Sequence, residues 1–467
     1  MIKVKVKWGK ELLELTVNLQ STVKEFKDSL YTLTAVPVER QKIMGIKAGA
    51  LTDSATLSDV GVVDGKTLML IGTADDAPKA AVPPPAEVSV EVGAVKAGAA
   101  FETEMPNGLQ NIANTCYMNA AIQMLRLVPE VRQLLEPRTT DPLLSSLGQL
   151  YKTMDGAKDA VLPLPFWSTL TVQCPTFNER DDRGNPIQHD SQEVLNILLQ
   201  RISEVVPESQ KRLFQGALKQ TTTCKEAPDD TPAVQDLPFL MLSCNINSEI
   251  QSLEVGLNTG FNEMVTLPSE TLSRDAPFSR TSRISTLPEY LFVHLVRFSW
   301  RNDTQKKAKI LRSVTFPLVL DLFTLCTEEL KTSMEPERAK VMERRDRELD
   351  RRREMRQKKR HEGATEAGEV PPPPESLTDT ASAAIGNTTG YYELCGVISH
   401  KGRTADSGHY VFWGKNDDQW LVLDDEHVAT VSEGDVKRLE GGGEAHSAYV
   451  LMYRTRDPRT KNTALPL

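Results

Sequence analysis

Hydrophobic and polar positions change rhythm several times along the 467 residues. Ile2, Val4, Val6 and Trp8 alternate with lysines, and Leu13, Leu15 and Val17 alternate again, a pattern that predicts an antiparallel strand pair with one buried face. Val23, Phe26 and Leu30 recur at helical spacing within Thr22 to Leu33. Ile43, Met44 and Ile46 suggest a third strand, and Asp64-Gly65 is a turn signal ahead of a fourth from Leu68 to Ile71. Residues 1–74 thus read as a small α+β domain. From Asp75 to Ala100 large apolar residues become scarce and Pro83-Pro84-Pro85 sits at the centre, the signature of an extended tether.

Beyond the tether, apolar positions Ala120, Ala121, Met124, Leu125 and Val128 predict a buried helix that starts at or just after Cys116. A second helix carries Val194, Leu195, Leu198, Leu199, Ile202 and Val206 on one face, with Asp190 and Glu193 in the positions of an N-cap and its reciprocal partner. Pro288 to Phe298 is a continuous β-rich run, consistent with a central buried strand. Ser299 to Lys309 reads as a polar, lysine-rich loop, and Ile310 to Leu322 as an apolar pattern broken by Pro317. Tyr391 to His400, Gly408 to Trp413, Trp420 to Glu426 and Ala448 to Tyr453 predict an antiparallel sheet. Residues 335–390 lack this patterning. The expectation there is a charged insertion, a solvated helix and then a disordered loop, with a basic recognition segment as the alternative. Domain boundaries follow at 1–74, 75–100, 101–455 and a tail from 456 to 467.

Composition narrows the class. At 39% hydrophobic residues the chain can build a sizeable core, and its amino terminus has neither a signal-peptide pattern nor a membrane-length apolar run. Cys116, Cys174, Cys224, Cys244, Cys326 and Cys395 include no Cys-x-x-Cys pair, so no zinc ribbon or dithiol redox motif is indicated. Reduced thiols imply a cytoplasmic or nuclear home. Net charge is −9, yet Arg338 to Arg360 holds twelve Lys or Arg against five Asp or Glu, a surplus of seven that leaves −16 on the remainder. That acidic body argues against nucleic acid as the main ligand.

The candidate chemistry begins with Cys116. The start of a helix favours a thiolate, since unpaired N–H groups and the positive end of the macrodipole face it. The alternative is a buried cysteine acting only as a small hydrophobe. A nucleophile needs a base. His409 follows Gly408, where backbone can approach closely, and opens an apolar strand; Asp424 ends a neighbouring strand and could orient its ring. His294 sits in a core-like strand, while His400, His427 and His446 carry no motif.

The segments Gly108 to Gln123, Gln188 to Glu193, and Gly408 to Trp413 with Trp420 to Asp425 are similar in order and content to the cysteine, glutamine and histidine boxes of the ubiquitin-specific protease family of deubiquitinases. Residues 1–74 resemble ubiquitin without a terminal diglycine, and the whole chain most resembles the proteasome-associated branch. The resemblance implies an α+β protein: a β-grasp domain followed by a papain-like thumb, palm and fingers domain. It assigns Cys116 as nucleophile, His409 as base, Asp424 as orienting group and Asn111 as oxyanion donor. Asp190, Gln188, Gly408 and Tyr410 would line the path of the ubiquitin tail. It further implies ubiquitin conjugates and the 26S proteasome regulatory particle as partners, without nucleic acid or membrane, and no cofactor or metal, because finger cysteines are absent. Two loops, 299–309 and 401–407, would cover the tail channel. Ala113 stands where the family usually has glycine, which strains the loop if positive φ is required. The competing readings are a catalytically weak or inactive ubiquitin-binding regulator of the proteasome, disfavoured by the complete residue set, and processing of another ubiquitin-like protein.

Overall fold

The computed structural model describes residues 2–8, 11–17, 21–24, 26, 27, 30, 41–44, 56–58, 60, 62, 63, 67–71, 106–135, 139–181, 184–301, 306–361, 386–402, 407–416, 419–443 and 445–455. The expected tether, the tail from 456, Ile46, the Asp64-Gly65 turn and the tip of the second loop fall outside them. The chain divides into two units, Met1–Ala99 and Ala100–Leu467.

In the first unit β1 (Ile2–Trp8) pairs antiparallel with β2 (Glu11–Val17) and parallel with β4 (Thr67–Ile71), which in turn pairs with β3 (Lys42–Met44). The sheet order β2-β1-β4-β3 is that of a β-grasp. Val4, Val6 and Leu68 from the sheet meet Val23, Phe26 and Leu30, the spacing expected of one helical face, and all six are buried.

The second unit opens with five helices: α1 (Cys116–Arg126), α2 (Pro129–Leu134), α3 (Pro142–Gly156), α4 (Leu164–Gln173) and α5 (Ser191–Val205). Strands β5 (Gly216–Cys224), β6 (Ala233–Phe239) and β7 (Met241–Asn245) follow, then α6 (Leu253–Gly260), β8 (Asn262–Ser269), β9 (Arg274–Thr286) and β10 (Tyr290–Val296). β5, β6, β8 and β9 form a separate sheet in the order β6-β5-β9-β8. After β11 (Phe298–Arg301), β12 (Lys306–Lys309), β13 (Val319–Asp321) and α7 (Glu328–His361) come β14 (Tyr391–Lys401), β15 (His409–Asn416), β16 (Gln419–Asp424), β17 (His427–Val431) and β18 (Ser447–Thr455).

The central sheet runs β17-β16-β15-β14-β18-β10-β7, with β13 beside β14. Both of its faces are covered, which is why its strands read as continuous apolar runs. Phe292, Tyr410, Phe412, Leu421 and Leu423 join α1 to α5 in one core, while their neighbours Val293, Val411, Trp413, Trp420 and Val422 join α6 in another. Thus α1 lies buried from Cys116 to Leu125 between its companion helices and the strands that carry His409 and Asp424.

Two expectations change. Ser299 to Lys309 is not a simple loop: β11 and β12 form an antiparallel hairpin, and buried Lys309 donates from Nζ to the His400 carbonyl at 2.6 Å. The helix of the charged segment starts earlier than residue 335: α7 begins at Glu328, packs Leu330 and Met334 on the core, and runs through Pro336. A helix-interior proline costs about 3 kcal/mol. Arg338 offsets it: its guanidinium lies 4.3 Å from the centroids of both Phe323 and Tyr391, pairs with Asp321 at 2.7 Å and donates to the Thr389 carbonyl at 2.7 Å.

Arg297, between β10 and β11, is fully buried, and its hydrogen bonds go to carbonyls. Nε donates to Ala448 at 2.6 Å, Nη1 to Arg312 at 2.7 Å and Ile310 at 3.3 Å, and Nη2 to Glu440 at 3.2 Å. Burial lowers its pKa to about 10, which leaves it charged at neutral pH. Arg297→Leu strands these carbonyls, at about 1–3 kcal/mol per unsatisfied group. We expect the second unit to lose at least about 3 kcal/mol in a urea titration; an unchanged midpoint would show that the cage is not structural.

Candidate active site

Cys116 is the first residue of α1, buried, and its Sγ accepts from the Tyr410 backbone N–H at 3.5 Å. The preceding loop fixes this position. Thr115 N–H donates to Asn111 Oδ1 at 3.0 Å, and Ile112 N–H donates to Thr115 Oγ1 at 2.9 Å. Two consecutive residues, Ala113 and Asn114, have positive φ of 56° and 60°. Asn114 is held by its Nδ2 donating to the Pro186 carbonyl at 3.1 Å. Ala113 therefore occupies the left-handed conformation that glycine tolerates best, at a strain of about 1–2 kcal/mol.

His409 opens β15 and Asp424 closes the adjacent antiparallel strand β16, so their side chains meet at one end of the sheet. His409 Nε2 and Asp424 Oδ1 are 2.5 Å apart. The bond to Asp424 and then the bond to Cys116 outweigh burial and raise the His409 pKa to about 10. Burial alone would raise the Asp424 carboxyl, but the hydrogen bond and charge of His409 bring it below its ordinary value. The ring is thus an imidazolium at neutral pH, between a carboxylate and the sulfur.

Sequence reasoning missed Asp425. It has a φ of 50°, and its carboxylate accepts from Asn111 Nδ2 and Asn119 Nδ2, each at 2.8 Å. Its Oδ2 lies 4.0 Å from His409 Nε2. Burial raises its pKa against the opposing pull of the two amides. The Asp425 carbonyl also accepts from Leu109 N–H at 2.8 Å. Gly108 permits that approach, since a Cβ there would meet the Glu426 and Asp425 carbonyl oxygens at 2.5 and 2.6 Å. The Asp424-Asp425 doublet was the available signal: strand-end position points to Asp424, but nothing local points to the asparagine partners of Asp425.

Among the described residues, His409, Asp424 and Asp425 form a cluster whose donor atoms lie within 4.8 Å of one another. The direct His409–Asp424 bond and the two amides on Asp425 already use those atoms, so the set suits a proton better than a cation.

The tail-path residues are placed less uniformly. Asp190 caps α5 by accepting from Gln192 N–H at 2.8 Å, and its other oxygen accepts from the Tyr449 hydroxyl at 2.5 Å. Gln188 is half-buried, with its Nε2 buried and without an acceptor among the described residues. Gly408 is exposed at a φ of 132°, and a Cβ there would lie 2.3 Å from the Lys401 carbonyl oxygen. The Tyr410 side chain is buried, leaving its backbone N–H as the group that faces the sulfur. His294 is structural, packed edge-on to Tyr449 and held neutral by burial at a pKa of about 4. His400 is fully buried, and burial with Lys309 nearby pushes its pKa down to about 3.

Residues 107–453 match the family profile described as Ubiquitin carboxyl-terminal hydrolase. The chain belongs to that family. Residues 2–75 match the Ubiquitin family. Similar proteins include Ubiquitin carboxyl-terminal hydrolase 6 of Arabidopsis thaliana, 34% identical over 98% of this chain and 99% of that protein. Ubiquitin carboxyl-terminal hydrolase 6 of Schizosaccharomyces pombe is 35% identical over 98% and 99%, and Ubiquitin carboxyl-terminal hydrolase 14 of Caenorhabditis elegans 33% identical over 97% and 93%. This ubiquitin carboxyl-terminal hydrolase is a thiol-dependent deubiquitinase with a papain-like catalytic domain behind a β-grasp ubiquitin-like domain.

Two outcomes follow for this hydrolase. Asp424→Asn removes the largest support for the imidazolium, so the His409 titration should fall from about 10 toward 6.5 and the alkaline limb of kcat/KM with it. The rate should drop roughly 10²–10⁴-fold. The wild-type pair also adds folding stability that is full below 6.5 and lost as pH rises through about 10. An NMR titration of the ring that does not move in the variant contradicts this. Ala113→Gly should relieve about 1–2 kcal/mol of strain against about 0.4–1 kcal/mol of added chain entropy. A small gain in thermal stability is expected; a loss would mean that Ala113 is unstrained.

Proposed function

We propose that this deubiquitinase trims ubiquitin from conjugates at the proteasome, in the cytoplasm and nucleus. The observation that carries the hydrolytic part is the His409 ring bonded to Asp424 at 2.5 Å, with Cys116 near enough to help raise its pKa. The Cys116 thiolate attacks the carbonyl of the ubiquitin carboxy-terminal glycine. Asn111, whose Nδ2 still has a second hydrogen after bonding Asp425, donates to the developing oxyanion, a contact worth about 2.7–4 kcal/mol. The His409 imidazolium protonates the leaving lysine amine. The neutral ring then takes a proton from water, which releases ubiquitin from the thioester.

In this reading Asp190, Gln188, Gly408 and Tyr410 line the tail path. Asp190, which caps α5 and accepts from Tyr449, supplies the carboxylate that an arginine of the tail would approach. Residues 1–74 dock on the regulatory particle and 75–100 tether them to the catalytic domain, which raises the local concentration of conjugates. The hairpin of β11 and β12, tied through Lys309 to the end of β14, and the 401–407 segment restrain tail entry in the free enzyme. The similarity of nearly the whole chain to relatives that also bear this hydrolase name supports reading both units as parts of one deubiquitinase.

Ubiquitin bearing a carboxy-terminal electrophile tests both parts. An adduct should form on Cys116, disappear in Cys116→Ala, and form faster when proteasomes are added. No adduct under either condition, or an equal adduct in Cys116→Ala, defeats the catalytic assignment. A rate indifferent to proteasomes, or stimulation that survives removal of residues 1–74, defeats the docking assignment.

A further inference from the structure

Across the ladder of β14 and β15, His400 pairs with Tyr410 and Lys401 with His409, so the connection between these strands is what delivers the base to the site. The His400 side chain is fully buried between the two ends of that connection. A Cβ at Gly402 would meet its Cε1 at 3.5 Å, and one at Gly408 would meet its Nε2 at 2.6 Å. These glycines have φ of 125° and 132°, conformations that let the backbone close on the ring from both sides. The Ser407 backbone is a hydrogen-bonding neighbour of the ring, and Phe298 and Tyr410 meet it edge-on with centroids 5.2 and 4.6 Å away. The His400 carbonyl is held in turn by Lys309 Nζ at 2.6 Å and the Ser447 hydroxyl at 3.4 Å. Burial and the nearby Lys309, His446 and His409 outweigh the Ser407 backbone and keep the ring neutral.

We propose that His400 is a positioning residue for the hydrolysis: its flat, neutral ring is the spacer between the two ends of the β14 to β15 connection, and through Gly408 it sets where His409 and the Tyr410 N–H stand against Cys116. The two residues after Gly408 are the ones that matter. His409 is bonded to Asp424, and the Tyr410 N–H faces Cys116 Sγ at 3.5 Å. A spacer of the wrong shape therefore moves both groups together, away from an alignment that the reaction does not let drift. Lys309 completes the device from outside, because it fixes the backbone from which the ring projects. The inference rests on His409 as the base. A side chain that merely filled the core would affect folding and leave the protonation of His409 as it is.

Steady-state hydrolysis of a fluorogenic amide at the ubiquitin carboxy terminus, together with an NMR titration of the His409 ring, tests this on the full chain. His400→Ala should lower kcat about tenfold or more with KM changed less than about threefold, since the ring acts through the base and not on the substrate. The His409 titration should fall from about 10 toward 6.5, because a displaced ring loses part of its bonding to Asp424 and Cys116. His400→Gln, which restores a flat neutral group with an N–H, should recover most of both. The inference is overturned if folded His400→Ala keeps the wild-type kcat, if its His409 still titrates at about 10, or if His400→Gln is as slow as His400→Ala. Should His400→Ala fail to fold, His400→Leu, of similar bulk but neither flat nor polar, decides by the same two readouts. A wild type no faster than Cys116→Ala is a failure of the catalytic reading; an active wild type matched by His400→Ala is a failure of this one.

Discussion

A single carboxylate joins the two halves of the active site. Asp425 accepts one amide from the loop before the nucleophile and another from the helix behind it, across 314 and 306 residues of sequence. Its own carbonyl receives Leu109 N–H, and Gly108 lets the two backbones close to that distance. The sulfur and the imidazole ride on opposite sides of this junction. Loss of the junction would leave both groups intact and misaligned, and misplacement of about 1 Å can cost 10²-fold in rate.

The sheet supplies the rigidity that the junction needs. Because both faces are buried, each strand is held by side chains that alternate between two cores, and β15 and β16 cannot slip by one residue without exchanging those faces. His409 and Asp424 stand at the ends of these strands and inherit their precision. Arg297 serves the same purpose elsewhere, gathering four carbonyls from three stretches of chain around one cation.

Much of this was legible in the chain because period-two and helical spacings act locally. The strands from Tyr391 onward, the helix after Cys116 and the helix after Asp190 all lie where their apolar positions predict them. What could not be read depends on partners distant in sequence. Ser299 to Lys309 looks like a loop because its composition is polar, yet a ladder and one buried ammonium organise it. Pro336 suggests a break, but Arg338 between two aromatic rings carries the helix through. Asp424 is legible as the imidazole partner from its place at a strand end, but nothing local shows that Asp425 binds two asparagine amides 314 and 306 residues away.

Helix α1 begins with the nucleophilic sulfur and ends with a buried arginine at an open cleft. Hydrogen-bonded along its length and buried from Cys116 to Leu125, it behaves as a stiff rod. An axial shift imposed at Arg126 would arrive at Sγ nearly undiminished, since neither the rod nor its sleeve compresses readily. The position of the sulfur is thus set by packing along the whole helix and not by the preceding loop alone.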